Sequence, residues 1–288
     1  ALWRLLDLQK EVIVFAKQKQ LGGLSLSVSP KQLFGIEIDP YAHQLAQIVI
    51  WIGYIQWRSE NGFKEFEEPV LQPLHQIINK DSILQLDEKN NPSEPSWPET
   101  DFIIGNPPFL GNRKLTPILG ESYVNNLQNV YRDDIDGIPD LVCYWFNKAE
   151  KLLEKGKVDK VGLLATQAIR GGTNRQVLDR IVKNAEIFMA WDDKEWILDG
   201  ANVHVSIVGF GKAIEGRSKY LNGRQVSYIN SQLDAGTDIT STFSLNENIG
   251  LSFQGVVMRG KFNITSSQAS SMLEEINPSK VKNSDVIK

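Results

Sequence analysis

The chain has 288 residues, of which 41% are hydrophobic and 23% charged, and 31 Lys and Arg against 35 Asp and Glu give a net charge of −4. This length suits one large domain or two ordinary ones. The composition excludes disordered, collagen-like and coiled-coil proteins. The longest apolar stretch, residues 48–55, is much shorter than the roughly 20 residues of a membrane helix, and no signal peptide opens the chain, so we predict a cytoplasmic protein with no membrane contact.

The chain offers no pattern for a disulfide framework or a metal site. It has a single cysteine, Cys143, and its three histidines, at positions 43, 75 and 204, are far apart. A metal centre needs several ligands at short, regular spacing. We therefore predict no metal.

The first third of the chain reads as a helix followed by a strand and a second helix. Apolar residues recur at helical spacing over residues 1–19, and Gly22 and Gly23 end that pattern. Residues 33–38 form a short apolar run. Asp39 and Pro40 follow directly and suit a helix N-cap and first helical position, so a second helix is predicted to about Trp57.

The alternation of strands and helices continues through residue 210. Further strands are predicted at 77–78, 101–104 and 161–165, the first two of them buried, and helices at 141–153 and 174–183. The last two strands, 187–191 and 203–210, are separated by a loop too short for a crossover helix, which predicts an antiparallel pair. The fold class is therefore α/β, with a largely parallel sheet covered by helices on both faces.

The pattern changes after residue 215. Asn222 and Gly223 suit a hairpin turn, and Thr265 and Gln268 are spaced as a capping box at the start of a short helix, about 266–276. We predict a catalytic core over residues 1–215 and a connector over 216–288.

Polar residues stand at three successive strand ends, where ligands bind in open α/β sheets. Glu37 suits a carboxylate that accepts hydrogen bonds from both ribose hydroxyls of a nucleoside, whereas Asp39 is better explained as a helix cap. Asp81 suits an acceptor for an adenine amino group, with Ser82 and Ile83 beside it. A plain turn aspartate remains equally open for Asp81.

The third strand end carries the tetrapeptide Asn106, Pro107, Pro108 and Phe109. Two prolines remove two backbone donors and stiffen the loop. The Asn106 side-chain oxygen and the Pro107 carbonyl could then accept both N–H bonds of a planar amine, making its nitrogen a better nucleophile. Phe109 could stack on a flipped base, and a structural turn is the alternative.

Four segments together resemble the ordered motifs of amino-group DNA methyltransferases: FGIEIDPYA (34–42), KDSI (80–83), DFIIGNPPFLG (101–111) and VHVSIVGF (203–210). GNPPFLGNRKL and SFQGVV (252–257) look most like the adenine-N6 methyltransferase portion of MmeI-like, type IIL restriction-modification enzymes. The likeness covers nearly the whole chain.

The resemblance implies a Rossmann-like class I methyltransferase fold and S-adenosylmethionine as cofactor. It makes Asn106, Pro107, Pro108 and Phe109 the catalytic loop. It assigns the cofactor's ribose and adenine to Glu37 with Ile38 and to Asp81 with Ser82, respectively.

The chain also departs from the family pattern at its two ends. The family's glycine-rich cofactor loop and first strand should precede residues 1–19, and a target-recognition domain should follow the last residues. We therefore expect an excised core whose sheet lacks its first strand and whose partners are those parts of the same polypeptide.

Double-stranded DNA is the partner that the resemblance implies, and the net negative charge means that local patches must bind it. Residues 112–138 have no strong period and carry Arg113 and Lys114, so they form either a DNA-facing loop or a surface insertion. Residues 155–183 hold seven basic residues against two acidic ones, including Arg170 and Arg175. A solvated helix face is an equal alternative there.

Rival functions remain open at this point. The Asn-Pro-Pro-aromatic motif also suits methylation of a protein glutamine or of a guanine in RNA. A DNA-binding module with a vestigial methyltransferase fold belongs to a different class. A nicotinamide-dependent dehydrogenase would share the sheet and the acidic ribose ligand but would not explain the prolines.

Overall fold

A computed structural model of the chain describes residues 1–63, 72–198, 201–236, 247, 264–276 and 282–285. The chain divides into two compact units, Ala1–Thr240 and Ser241–Lys288. The SFQGVV segment lies outside the described residues. In the second unit the described residues include a helix, Ser266–Glu274, whose Thr265 and Gln268 form the predicted capping box.

The first unit begins with two helices and a two-stranded parallel sheet. These elements are α1 (Leu2–Gln18), β1 (Gly35–Glu37), α2 (Pro40–Glu60) and β2 (Ile77–Asn79). Asp39 begins α2 as predicted, because its carboxylate accepts a hydrogen bond from the Ala42 amide at 2.7 Å and Pro40 follows it. Leu2 and Leu6 of α1 pack against Trp57 of α2. The predicted helices and strands in this part of the chain are confirmed.

A six-stranded mixed sheet forms the rest of the unit. A small antiparallel ribbon of β3 (Gln85–Leu86) and β4 (Pro92–Ser93) precedes this sheet in the chain. The strands of the sheet are β5 (Phe102–Gly105), β6 (Lys160–Thr166), β7 (Glu186–Leu198), β8 (Ala201–Gly211), β9 (Lys219–Leu221) and β10 (Arg224–Val226). The helices between them are α3 (Asn112–Leu119), α4 (Glu121–Tyr131), α5 (Cys143–Glu154) and α6 (Gln176–Asn184). The strand order is β10-β9-β7-β8-β6-β5. The pairs β5–β6 and β7–β9 are parallel, and β6–β8, β7–β8 and β9–β10 are antiparallel. The predicted antiparallel pairing of the last two strands is confirmed, but the sheet is mixed rather than largely parallel.

Strand β5 is less buried than its sequence predicted. Ile103 packs against the main core, whereas Phe102 and Ile104, on the opposite face of the strand, are 56% and 72% exposed. The expectation of a buried strand was therefore wrong for one face. In the described part of the chain, β5 pairs only with β6, and β1–β2 forms a separate sheet.

Most of residues 112–138 is helical, since α3 and α4 together reach from Asn112 to Tyr131, which corrects the sequence interpretation of this segment. α4 buries Val124, Leu127 and Tyr131, which are spaced three and four residues apart. Pro117 within α3 and Gly120 between the two helices, with a φ of +85°, interrupt this period and hide it in the sequence.

The hairpin β7–β8 is longer than predicted. Both strands continue through most of the expected loop, and the pairing register shifts between Trp191 and Lys194. Asn222 and Gly223 form the predicted turn between β9 and β10, with φ values of +52° and +76°. Because β9 pairs with β7, the first residues of the predicted connector belong to the sheet.

The main core lies between α5, α6 and the sheet. Cys143, Phe146 and Leu178 are fully buried there beside Val208 and Phe210. Burial raises the pKa of the Cys143 thiol well above its usual range. Across the described residues, no helix is long and apolar enough to cross a membrane, and no group of three or more His, Cys, Asp or Glu side chains is placed to hold a metal.

Candidate active site

A cavity of about 820 Å³ opens where β1, β2 and β5 end. This volume is within the range of small-molecule sites. Its wall brings together all of the residues predicted to be catalytic or to bind the cofactor: Glu37, Ile38, Asp81, Ser82, Asn106, Pro107, Pro108 and Phe109. The four predicted DNA contacts are not in the wall.

Glu37 presents a partly free carboxylate to this cavity. Its Oε1 accepts a hydrogen bond from the Asp39 amide at 2.9 Å, which fixes the side chain beside the start of α2. Within the described part of the chain, Oε2 accepts no hydrogen bond. The Asn79 side chain donates to the Glu37 and Ile38 carbonyls at 2.8 and 3.0 Å and so ties the end of β1 to the end of β2. The free oxygen is suited to bind hydroxyl groups.

Asp81 is held by hydrogen bonds on both carboxylate oxygens. Oδ1 accepts from the Ile83 and Leu84 amides at 2.8 and 3.1 Å, as in a turn aspartate. Oδ2 accepts from the Tyr123 hydroxyl at 2.7 Å. Asp81 therefore does hold a turn through Oδ1, which the sequence left open. Its Oδ2 keeps a free lone pair at the cavity wall.

The catalytic-loop candidates leave two acceptors without partners. Asn106 is exposed, Pro107 is buried and Phe109 is half-buried. Among the described residues, none bonds to the Asn106 amide or the Pro107 carbonyl, while the Pro108 carbonyl accepts from the Leu110 amide at 3.2 Å. The loop can thus offer two oxygens to the N–H groups of one ligand amine.

A hydrogen-bonded pair fixes the chain that leaves this loop. Asp140 accepts from the Asn112 amide and from the Asn174 side chain, both at 2.8 Å, and its own amide donates to Asn174. The Leu141 amide donates to the Leu110 carbonyl at 2.9 Å. These contacts connect the loop to α5 and to the residues before α6.

Two wall residues, Trp97 and Tyr123, were missed by the sequence reasoning. Trp97 donates from its indole nitrogen to the Ser82 carbonyl at 2.7 Å, and the Lys148 ammonium lies 5.2 Å from its ring centre. Tyr123 lies on α4, in the segment whose helical period is interrupted by Pro117 and Gly120. The spacing of the buried residues Val124, Leu127 and Tyr131 was the available signal for that helix.

The predicted DNA contacts differ in their surroundings. Arg113 and Lys114 are exposed in the first turn of α3, three and four residues after the cavity wall residue Leu110. Arg170 forms ion pairs with Asp192 at 3.3 Å and Asp193 at 3.9 Å, and Arg175 lies 3.6 Å from Asp179. Arg113 and Lys114 are therefore the freer cations beside the cavity.

Comparison with known proteins gives consistent matches. The "DNA methyltransferase A" of Bacillus subtilis (strain 168) is 27% identical over 247 residues, which are 80% of this chain and 27% of that protein. A solved structure of the type IIL restriction-modification enzyme MmeI in complex with DNA aligns over 82% of this chain and 33% of that chain, with a TM-score of 0.63 and 24% identity. The chain thus spans about a quarter to a third of the length of these proteins.

The family comparison covers most of the sequence. Residues 3–222 match the family described as MmeI, DNA-methyltransferase domain. This match contains every predicted site residue and the whole six-stranded sheet except its three-residue last strand, β10. The chain therefore belongs to the family of MmeI-type DNA-methyltransferase domains.

Proposed function

We propose that this chain transfers a methyl group from S-adenosylmethionine to the N6 amino group of a flipped adenine in double-stranded DNA, within a cytoplasmic restriction-modification enzyme. Its fold is then the Rossmann-like class I methyltransferase sheet. The observation that carries the proposal is the single cavity that Glu37, Asp81 and the loop from Asn106 to Phe109 share.

The cavity's acceptors fit the cofactor's nucleoside. Glu37 Oε2 would accept from the ribose hydroxyls, with the Ile38 side chain beside it, and Asp81 Oδ2 would accept from the adenine amino group, with Ser82 as neighbour. When bound, S-adenosylmethionine supplies an electrophilic methyl group.

The loop supplies what a planar amine needs in order to react. The lone pair of such an amine is delocalised into its ring, so the nitrogen is a weak nucleophile. The Asn106 side-chain oxygen and the Pro107 carbonyl would accept its two N–H bonds, favour tetrahedral geometry and stabilise the developing positive charge. Phe109 would stack on the flipped base and so offset part of the unstacking cost, by about 1–3 kcal/mol.

DNA would be bound beside this loop. Arg113 and Lys114 are the first candidates, because they are exposed and close in sequence to the cavity wall. Arg170 and Arg175 are secondary candidates, because each would have to exchange an aspartate for a phosphate.

The test is methyl transfer by the full-length natural protein. It is incubated with labelled S-adenosylmethionine and duplex DNA, and the methylated nucleoside is identified by mass spectrometry. We expect N6-methyladenine, reduced about 100-fold or more in Asn106→Ala. Asn112→Ala is the matched control, because it removes the same amide six residues later, outside the cavity wall.

The same assay separates the rivals. Label in a protein glutamine or in an RNA guanine would reject DNA as the substrate but keep the amine chemistry. DNA binding without transfer to any acceptor would favour a vestigial module.

A further inference from the structure

The hydrogen bond between Tyr123 and Asp81 determines which donors and acceptors this part of the cavity wall offers to a ligand. The two oxygens, Tyr123 Oη and Asp81 Oδ2, are 2.7 Å apart, and both residues line the cavity. A carboxylate only accepts hydrogen bonds, so the Tyr123 hydroxyl must be the donor. Its single proton is then committed to Asp81.

The proton stays on Tyr123 under physiological conditions. Burial, and then the hydrogen bond and negative charge of Asp81, raise the pKa of the Tyr123 hydroxyl well above its usual range. The hydroxyl is therefore neutral and remains a donor to Asp81. With that donor in use, Tyr123 Oη offers a ligand only lone pairs, and Asp81 Oδ2 keeps one of its own.

Two backbone amides that follow Asp81 are also committed. The Ile83 and Leu84 amides both donate to Asp81 Oδ1, at 2.8 and 3.1 Å. They cannot turn toward the cavity without breaking the turn that holds Asp81. Tyr123 and Asp81 thus form an acceptor-only pair.

We propose that Tyr123 is a specificity-determining residue, which together with Asp81 selects a cofactor with an amino group rather than an oxo group at purine position 6. This inference rests on the proposed function, since it concerns the site assigned to the cofactor's adenine. An amino group has two N–H donors for the two oxygens. An oxo group would bring its lone pairs against theirs.

The experiment compares S-adenosylhomocysteine with S-inosylhomocysteine, which has an oxo group in place of the 6-amino group and a hydrogen on the adjacent N1. Their dissociation constants are measured by calorimetry on the full-length protein. We expect the wild type to prefer the adenosyl ligand at least about tenfold, and Tyr123→Phe to lose about tenfold in adenosyl affinity and most of that preference. A general packing defect would weaken both ligands alike and leave their ratio unchanged.

Tyr131→Phe is the matched control. It lies on the same helix and loses the same hydroxyl, but that hydroxyl donates to the Ile83 carbonyl at 2.9 Å rather than to Asp81. We expect its ligand ratio to stay at the wild-type value. If Tyr123→Phe does not fold, Asp81→Asn replaces it, because its amide puts a donor into the pair and should also reduce the preference.

Each outcome has a separate meaning. Wild-type protein that binds neither ligand would overturn the proposed function and this inference with it. Wild-type protein that binds and methylates, with an unchanged ligand ratio in the substituted protein, would overturn the inference alone.

Discussion

The indole nitrogen of Trp97 donates a hydrogen bond to the backbone carbonyl of Ser82 at 2.7 Å, and both residues line the cavity. This bond connects residues 94–98, which precede β5, to the turn that presents Asp81. The shape of the cavity wall near Asp81 therefore depends on a residue outside the family motifs.

Replacing Trp97 with Phe should raise the KM for S-adenosylmethionine about threefold to tenfold and leave kcat nearly unchanged. The hydrogen bond that fixes the Ser82 backbone is lost, while most of the ring contact is kept. Trp51→Phe is the control, because its indole also donates to a backbone carbonyl, that of Gln72 at 2.9 Å, but outside this cavity. Equal effects of the two substitutions on KM would contradict the assignment.

Asp140→Ala should lower kcat by about tenfold to a hundredfold without changing the affinity for S-adenosylhomocysteine. The substitution removes the acceptor for the Asn112 amide and the Asn174 side chain, so the loop after Phe109 loses its anchor. Asp87→Ala, which disrupts an exposed turn around Asn91, is the control. A loss of cofactor affinity equal to the loss of kcat would argue against a loop effect.

Lys148→Ala should lower the free energy of unfolding by about 3 kcal/mol. Lys148 is 3% exposed, donates to the Pro95 carbonyl and lies 3.2 Å from Glu94. Burial lowers the pKa of its ammonium, and the Glu94 carboxylate opposes that effect. Urea unfolding measures the change, with Lys157→Ala, from an exposed pair with Glu99, expected to have little effect. If Lys148→Ala hardly changes the free energy of unfolding, the cost of burying the Lys148 ammonium must cancel the stabilisation from its contacts.

Asp134→Asn should lower the free energy of unfolding by about 1 kcal/mol at neutral pH, and by less at low pH. Burial opposes ionisation of Asp134, but the Lys151 ammonium at 2.8 Å and Arg180 lower its pKa below the ordinary 3.8. A lowered pKa stabilises the fold above about pH 3.8, and this contribution is lost as the pH falls through the lower folded value. Urea unfolding at several pH values should show wild type and variant converging in acid. Asp133→Asn, which is exposed, should stay at the wild-type stability throughout.

Replacing Arg113 and Lys114 with Ala should weaken DNA binding at every sequence and reduce the salt dependence. Each lost phosphate contact lowers the slope of log affinity against log salt by about 0.9. Binding to duplex DNA at several salt concentrations measures this slope. Arg224→Ala, an exposed cation on β10, should leave it unchanged.

The sequence predicted the parts of the fold that short-range chemistry determines. Asp39 and Pro40 specified the start of α2, and Asn222 and Gly223 the β9–β10 turn. The cavity was predictable only in part: Glu37 and Asp81 follow neighbouring strands and must meet at one edge, whereas Asn106 follows β5, which belongs to a separate sheet.

What the sequence did not predict depends on distant contacts. The partners of Asp81 and Ser82 are Tyr123 and Trp97, which lie 42 and 15 residues away in the chain, and no local pattern indicates such pairs. Ile104 is an apolar residue in a strand, so its sequence predicts burial. Only the arrangement of the sheets shows that its face of β5 is exposed.

Because Cys143 is buried in the main core, the rate of its chemical modification measures how often the core opens. A thiol reacts as the thiolate, and this thiol is fully buried in the main core with a raised pKa. A labelling reagent can therefore modify it only when α5 separates from the sheet. The rate of modification, measured with and without ligand, would report how far occupancy of the cavity slows that separation, and no cysteine has to be introduced into this chain.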